Sequence, residues 1–139
     1  MNKDLIAPCG MNCGICYAFL RKENKCPGCR KPDANKPVTR VRCKIKTCKF
    51  FKKGKAKFCI ECNEFPCKNL GKLDKRYREK YHMSMIENLE FIQSKGMKKF
   101  LKSQNKKYTC ICGGVVCVHD QKCKKCGKTV SISSTTDRF

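Results

Sequence analysis

The clearest hydrophobic pattern in this chain runs through residues 68–104, a stretch without cysteine. Leu70, Leu73, Tyr77 and Tyr81 follow one another at intervals of three or four residues. Because this interval places side chains on one face of a helix, the pattern predicts one amphipathic helix with its apolar face in the core.

Two further helices are predicted downstream. Ser84 and Glu87 have the spacing of a capping box, in which each side chain accepts a hydrogen bond from the other residue's backbone N–H. The helix that follows turns Leu89 and its apolar neighbours inward and stops at Gly96, a residue suited to the position beyond a helix end. Apolar residues around Phe100 predict a short third helix.

The flanking regions have different patterns. Residues 1–67 hold ten cysteines separated by turn-forming Pro and Gly, which predicts little regular structure beyond a short helix after Cys13. Residues 108–127 combine two cysteine groups with an apolar run at 115–118 that has strand character. Residues 131–139 are rich in Ser and Thr and are expected to be disordered.

These patterns predict a small α+β fold stapled by metal, with an N-terminal cysteine-knuckle module, two or three helices and a C-terminal zinc ribbon. The predicted boundaries are 1–104 for the cysteine-rich module with its helical segment, 105–130 for the zinc ribbon and 131–139 for the tail. The chain has 139 residues, is 32% charged and lacks Trp, so its apolar core must be thin. Small chains of this kind usually need a staple.

Fifteen cysteines supply the candidate staples. A CxxC pair aims two thiolates at one point, and two pairs complete a tetrahedral site. No signal peptide or membrane-spanning run is recognisable, so we expect a cytoplasmic location, where thiols stay reduced and this cysteine density indicates metal. We expect two or three Zn²⁺ ions. The candidate ligands are Cys9, Cys13, Cys16, Cys26, Cys29, Cys43, Cys48, Cys59, Cys62, Cys67, Cys110, Cys112, Cys123 and Cys126.

Ligand pairing is best defined at the C-terminal end. His119 is an alternative ligand there, whereas Cys117 is assigned to the predicted strand. The expected C-terminal ligands are Cys110, Cys112, Cys123 and Cys126.

In the N-terminal half, ten thiols can fill two sites with two left over. Cys9 is an alternative ligand in either site, and interleaved pairing stays open. The simplest first set by spacing is Cys13, Cys16, Cys26 and Cys29. The second set is drawn from Cys43, Cys48, Cys59, Cys62 and Cys67.

Two iron-dependent chemistries are alternatives. Cys9, Cys13 and Cys16 match the CxxxCxxC signature of radical S-adenosylmethionine enzymes, although the chain is far shorter than the barrel that carries that chemistry. A [4Fe–4S] protein with a redox or cluster-carrying role is the other, since clustered thiols also hold such clusters. No Ser/His/Asp set or phosphate-binding glycine loop accompanies His82 and His119, so we expect binding rather than catalysis.

The net charge of the chain indicates the class of its binding partner. The net charge is +22, and because each tetrathiolate zinc would lower it by 2, three sites would leave about +16. Residues 40–57 interleave basic side chains with phenylalanines, and no acidic residue occurs between Asp33 and Glu61. This combination is typical of single-stranded nucleic-acid binding. The candidate contacts are Arg40, Arg42, Lys44, Lys46, Lys49, Lys52, Lys53, Lys55 and Lys57.

RNA, the ribosome included, is therefore the expected partner, ahead of DNA or an acidic protein, and no membrane partner is expected. Two other interpretations stay open. The lysines can form a solvated face over core phenylalanines, or the chain can act as a protein–protein adaptor.

A resemblance is carried by residues 5–16 (LIAPCGMNCGIC), 26–29 (CPGC) and 58–67 (FCIECNEFPC), and it extends into 73–77 and the start of the helix at Ser84. In these motifs the chain resembles a family of short cysteine-rich proteins of unknown function, common in anaerobic bacteria and archaea. The resemblance implies a zinc-binding fold over nearly the whole chain and implies no activity.

Overall fold

Four α-helices occur in the part of the chain that the computed structural model describes, which is residues 3–30, 36, 58–62 and 64–131. We number them α1 (Tyr17–Leu20), α2 (Lys68–Tyr81), α3 (Met85–Lys95) and α4 (Met97–Lys107). Short 3₁₀ turns lie at Lys3–Leu5, Cys13–Ile15 and Cys59–Glu61. The helix predicted after Cys13 and the three helices predicted downstream are all present.

Helix α2 has the predicted apolar face. Cys67 is its N-cap residue, and the Cys67 sulfur accepts a hydrogen bond from the Leu70 N–H at 3.5 Å. Leu70 and Tyr77 are buried, and the other two predicted apolar residues pack half-buried against the core. The helix ends at the exposed His82, its C-cap residue, which has a left-handed backbone (φ 55°).

A buried carboxylate joins α2 to α3. Asp74 is 2% exposed and accepts hydrogen bonds from the Ser84 hydroxyl at 2.6 Å and the Ile86 N–H at 3.0 Å. Ser84 in turn accepts from the Glu87 N–H at 3.1 Å, which is the Ser84 half of the predicted capping box. Asp74, on the preceding helix, thus supplies a second acceptor at the α3 N-terminus.

Helices α3 and α4 meet at Gly96, whose φ of 93° ends one helix and begins the next. The ring centroids of Phe91 and Phe100 lie 5.9 Å apart across the two helices. Helix α4 runs to Lys107 and equals α3 in length, so the third helix is longer than predicted.

The N-terminal loop docks on these helices through buried amides. Asn88 donates to the Gly10 carbonyl at 3.0 Å, and Asn12 donates to the Gln104 side-chain oxygen at 3.4 Å. A Cβ added at Gly10 would lie 2.8 Å from the Met85 carbonyl oxygen, so the loop backbone approaches α3 closely.

The C-terminal unit, residues 108–131, contains little strand. Single antiparallel bridges pair Thr109 with Val115, Val116 with Cys123 and Lys122 with Thr129. Among the described residues, these isolated bridges stand where a strand over 115–118 was predicted, because turns at 111–112, 118–120 and 124–126 interrupt the pairing. The β part of the predicted α+β class is limited accordingly.

One apolar cluster holds the three regions together. It includes Ala7 of the N-terminal loop, Leu89 of α3 and Val118 of the C-terminal unit, each at most 1% exposed. The Val118 N–H also donates to the Ile15 carbonyl at 2.9 Å. The predicted domain boundaries stay a prediction, and residues 132–139 of the tail lie outside the described chain.

In the described ranges, the helices are too short and too polar to cross a lipid bilayer.

Candidate metal centre

Four cysteine sulfurs converge in the C-terminal unit. The Sγ atoms of Cys110, Cys112, Cys123 and Cys126 all lie within 4.8 Å of one another. Cys112 and Cys123 are 3.4 Å apart, and Cys110 and Cys126 are 3.7 Å apart. We call this group the C-terminal cysteine cluster. The spacing of these four cysteines in the sequence predicted them as one ligand set. Their arrangement in the structure can hold a metal ion.

The first knuckle of the cluster is a tight turn closed by backbone hydrogen bonds. The Cys110 N–H donates to the Gly114 carbonyl, and the Gly113 N–H donates to the Cys110 carbonyl, both at 2.8 Å. The Gly114 N–H points at the Cys112 sulfur from 3.4 Å. A Cβ at Gly114 would lie 2.5 Å from the Cys123 sulfur, so a side chain there would occupy the cluster's own space.

The second knuckle aims two N–H groups at one sulfur. Lys125 and Cys126 donate to the Cys123 Sγ at 3.3 and 3.5 Å, and the Gly127 N–H closes the turn on the Cys123 carbonyl at 2.9 Å. The Cys126 N–H, followed by that of Lys125, lowers the pKa of Cys123 to about 6. Hydrogen bonds to a sulfur favour its thiolate, which is the form that binds metal.

The Cys112 thiol, next to Cys123, is held in its neutral form. The Gly114 N–H lowers the pKa of Cys112, but the hydrogen bond with Cys123, burial and the other two thiols raise it by more, to about 11. Like charges this close cannot all ionise unless a cation lies among them. The group therefore has the electrostatics of a cation site.

The cluster lies at the surface. Cys112 and Cys126 are exposed, whereas Cys110 and Cys123 are buried. Ile111, between the two thiols of the first knuckle, is 99% exposed.

His119 is not part of this cluster, contrary to the alternative that it replaces one of the cysteines. Its Nδ1 accepts from the Tyr17 N–H at 3.2 Å, which leaves the proton on Nε2, 3.0 Å from the Tyr77 hydroxyl. Three tyrosine rings surround the imidazole, with centroids 4.8 to 5.7 Å away. These contacts hold His119 at the junction between the C-terminal unit, α1 and α2. Those rings belong to Tyr17, Tyr77 and Tyr81.

Cys117 is likewise outside the cluster, as predicted. It is fully buried, and burial raises the pKa of its thiol. It is a core residue rather than a candidate ligand.

The N-terminal thiols show a partial grouping. The Cys29 N–H and thiol both hydrogen-bond the Cys13 sulfur, and the pKa of Cys13 is raised first by the Cys29 thiol and then by burial, with the charge of Cys9 adding to it. Nearby, Arg30 donates to the Ile6 carbonyl at 2.8 Å. Cys13 and Cys29 belong to different CxxC pairs, so this contact crosses between them.

Among the described residues, the C-terminal cysteine cluster is the one group of three or more potential ligands whose atoms all lie within 4.8 Å. The simplest N-terminal set by spacing, Cys13, Cys16, Cys26 and Cys29, does not converge in this way. Thirteen cysteines are described, and none of them is bonded to another sulfur.

The remaining predicted ligands are placed as follows. Cys16, Cys26 and Cys59 are buried, and the Cys62 sulfur accepts from the Glu64 N–H at 3.4 Å. Cys43, Cys48 and the nine basic residues predicted to contact nucleic acid within 40–57 lie outside the described residues.

Two polar sites were missed by sequence reasoning. Asp74 lies on a helix whose apolar pattern gave no reason to single it out, and its partners are 10 and 12 residues away. His119 and Tyr17 are separated by 102 residues. Tyr77 and Tyr81, one helical turn apart, were the residues that could have indicated a polar contact on this face of the helix. Sequence analysis assigned both to the apolar core.

Comparison with known proteins finds a family model that matches the N-terminal half of the chain. Residues 5–72 match the model of a family described as "Protein of unknown function (DUF3795)". Over this segment, 68 of the 139 residues, the chain is similar to that family. The resemblance seen in the cysteine motifs is thus confirmed, over about half of the chain rather than nearly all of it. The match ends within α2, so the C-terminal cysteine cluster lies beyond it. No curated protein and no solved structure matches the chain.

Proposed function

We propose that this chain is a zinc-binding protein that binds RNA, and that the C-terminal cysteine cluster is a zinc ribbon holding one structural Zn²⁺. The convergence of the four Sγ atoms carries the metal part of the proposal. The strongly positive charge of the chain supports the RNA part.

The sulfur separations fit a single ion. A Zn–S bond of about 2.3 Å places the sulfurs of a regular tetrahedron about 3.8 Å apart. The Cys112–Cys123 and Cys110–Cys126 separations, 3.4 and 3.7 Å, are close to this value. The N–H groups of Gly114, Lys125 and Cys126 already point at sulfurs of the cluster, as second-sphere donors do. Zinc there would hold the two knuckles together.

The same separations argue against a [4Fe–4S] cluster at this site. Each thiolate of such a cluster binds a different iron atom, so its four sulfurs stand farther apart than those around one ion. For the N-terminal thiols, where Cys13 contacts Cys29, we propose the remaining one or two zinc ions.

The proposed role of the metal is structural. A chain with this many charged residues buries little apolar surface, and zinc would fix its loops so that lysines can face a polyanion. Residues 40–57 are the proposed RNA-contacting segment. Lysine supplies point charges, so the expected binding follows the phosphate backbone rather than base sequence.

Metal content is the direct test. We expect chain purified without oxygen to carry zinc and to be colourless. Cys112→Ser and Cys126→Ser should each lose one zinc per chain, whereas Cys117→Ala, which removes a buried thiol outside the cluster, should keep it. A brown protein that contains iron, or zinc content unchanged in both serine variants, would overturn the proposal.

RNA binding is tested by titrating a fluorescent single-stranded RNA with the chain over a series of salt concentrations. Affinity should fall steeply with salt, and changing Lys49, Lys52, Lys53 and Lys55 to Gln should weaken it. Absence of binding at low salt would overturn the RNA part of the proposal while leaving the zinc part standing.

A further inference from the structure

Helix α4 presents a row of lysines on the side away from the core. Lys98, Lys99, Lys102 and Lys106 are all exposed. Because each helical residue advances by about 100°, the four lie within an arc of about 100°. The buried residues of the helix, which lie on the remaining side, are Phe100, Ser103 and Gln104. We call the four lysines the α4 lysine face.

The chain offers this face little negative charge. No acidic residue occurs between Glu90 and Asp120. Among the described residues, ion pairs join Arg78 to Asp74 and Lys124 to Asp120, and neither involves Lys98, Lys99 or Lys102.

Within the described ranges, the neighbouring helix does not neutralise Lys98, Lys99 or Lys102 either. Helix α3 packs against α4 and carries the exposed carboxylates Glu87 and Glu90. Within the described ranges, neither carboxylate forms an ion pair with Lys98, Lys99 or Lys102.

The lysines also repel one another. Lys98, Lys102 and Lys106 follow at intervals of four residues, and like charges at this interval destabilise a helix by a few tenths of a kcal/mol per pair. A polyanion on the face would remove that repulsion. Repulsion among the lysines therefore destabilises the helix slightly in the unbound protein, and binding of a polyanion would remove this destabilisation.

A membrane surface does not fit this face. An interfacial helix needs an exposed apolar side beside its basic side. No large apolar residue of α4 is exposed: Phe100 is 2% exposed and packs into the protein, and Met97 and Leu101 are half-buried.

A nucleic-acid backbone fits better than an acidic protein. Lys98, Lys102 and Lys106 advance by about 6 Å each along the helix axis, which gives a straight and regular row about 12 Å long. A row of equal point charges matches a polymer with regularly repeated phosphates and needs no particular base sequence.

We propose that Lys98, Lys99 and Lys102 contact the phosphate backbone of bound RNA, with Lys106 extending the row. This inference rests on the RNA binding proposed above. It adds to residues 40–57 a second contact surface on a rigid helix, and it predicts binding that is independent of sequence.

The test compares two triple variants with the same change in charge. One is K98Q/K99Q/K102Q on the α4 lysine face. The matched control is K72Q/K75Q/K80Q, which neutralises three exposed lysines of α2. Each is titrated against the same fluorescent single-stranded RNA of mixed sequence over a range of NaCl concentrations, after circular dichroism has shown unchanged helix content.

We expect the α4 variant to bind about tenfold or more weakly. Each lost phosphate contact lowers the slope of log K against log salt by about 0.7 for a single strand, so three lost contacts should lower it by about 2. The α2 control should keep the wild-type slope. The charge-preserving variant K98R/K99R/K102R should retain the wild-type affinity and slope.

Each contrary outcome has a distinct meaning. If wild-type chain binds RNA and the two triple variants weaken binding equally, net charge alone acts and the α4 inference fails. If wild-type chain does not bind RNA at low salt, the proposed RNA function fails first. Equal binding of polyglutamate and RNA, with the same loss in the α4 variant, would assign the face to an acidic protein and overturn the RNA inference.

Discussion

The Nε2 atom of His119 lies 3.0 Å from the hydroxyl oxygen of Tyr77, and this contact fastens the C-terminal unit to helix α2. The imidazole is held from its other side by the Tyr17 N–H, so one residue connects three segments of the chain. The side chain that seemed from sequence to be an alternative metal ligand is therefore a tertiary link.

Tyr77→Phe should lower the free energy of unfolding by about 1 kcal/mol, the usual net worth of one hydrogen bond. His119→Ala should cost more, about 2 kcal/mol, because it also removes ring contacts. Chemical denaturation measures both values. Zinc content should be unchanged in the two variants, and loss of zinc from His119→Ala would contradict the assignment of His119 to the junction.

Asp74→Ala should be among the more damaging single changes in the helical region. It would leave the Ser84 hydroxyl and the Ile86 N–H without their buried acceptor, at an expected cost of about 3 kcal/mol. Arg78→Ala is the matched control, since it removes the solvent-facing partner of the same carboxylate.

The Arg78 side chain is 59% exposed, so its loss should cost less than about 1 kcal/mol. Thermal and urea unfolding would compare the two variants. Equal destabilisation by both would mean that the ion pair, rather than the α3 N-terminus, is what Asp74 stabilises.

Gly114→Ala should weaken metal binding without disturbing the helices. The added methyl group would meet the Cys123 sulfur at 2.5 Å and the Lys125 Cβ at 2.6 Å, so the two knuckles would have to separate. Competition with a chromogenic zinc chelator should show lower affinity. Gly71→Ala, in α2 with no atom within 4 Å of the added carbon, should instead stabilise the chain by about 0.5–1 kcal/mol.

Tyr108→Phe should leave stability unchanged or raise it by about 1 kcal/mol. The Tyr108 hydroxyl is buried and has no hydrogen-bond partner among the described residues, so its removal spares a desolvation cost. A marked loss of stability in this variant would indicate that the hydroxyl does have a partner.

The same residue predicts a response to alkaline pH. Burial raises the pKa of Tyr108 above its usual value near 10, so the unfolded chain loses this proton before the folded chain does. Stability contributed by the neutral phenol is complete below pH 10 and declines as pH rises above it. Wild-type chain should therefore lose more stability than Tyr108→Phe between pH 10 and 11, measured by urea unfolding at each pH.

Local features of this chain were predictable and distant ones were not. The α2 face of Leu70 and Tyr77 and the Ser84 cap depend on residues within a few turns of one another. The four ligands of the C-terminal cysteine cluster lie within 17 residues, and short turns bring them together. Such features follow from spacing alone.

The failures came where the chain folds back on itself. Cys13 and Cys29 both belong to the set that spacing predicted, but the four sulfurs of that set do not converge as a group, because their positions depend on how two loops pack. The strand expected over 115–118 contracted to single bridges because tight knuckle turns occupy its ends. Helix α4 was recognised by its apolar residues, and its lysine face became visible only once the buried side of the helix was known.

The hydrogen bond from the Val118 N–H to the Ile15 carbonyl means that the family boundary is not a folding boundary. Ile15 lies inside the family segment, and Val118 lies 46 residues beyond the point at which that segment ends. A fragment cut at residue 72 would expose the fully buried Ile15 and strip its carbonyl of a partner. A fragment that folds by itself must therefore include the C-terminal unit, although the family model matches only residues 5–72.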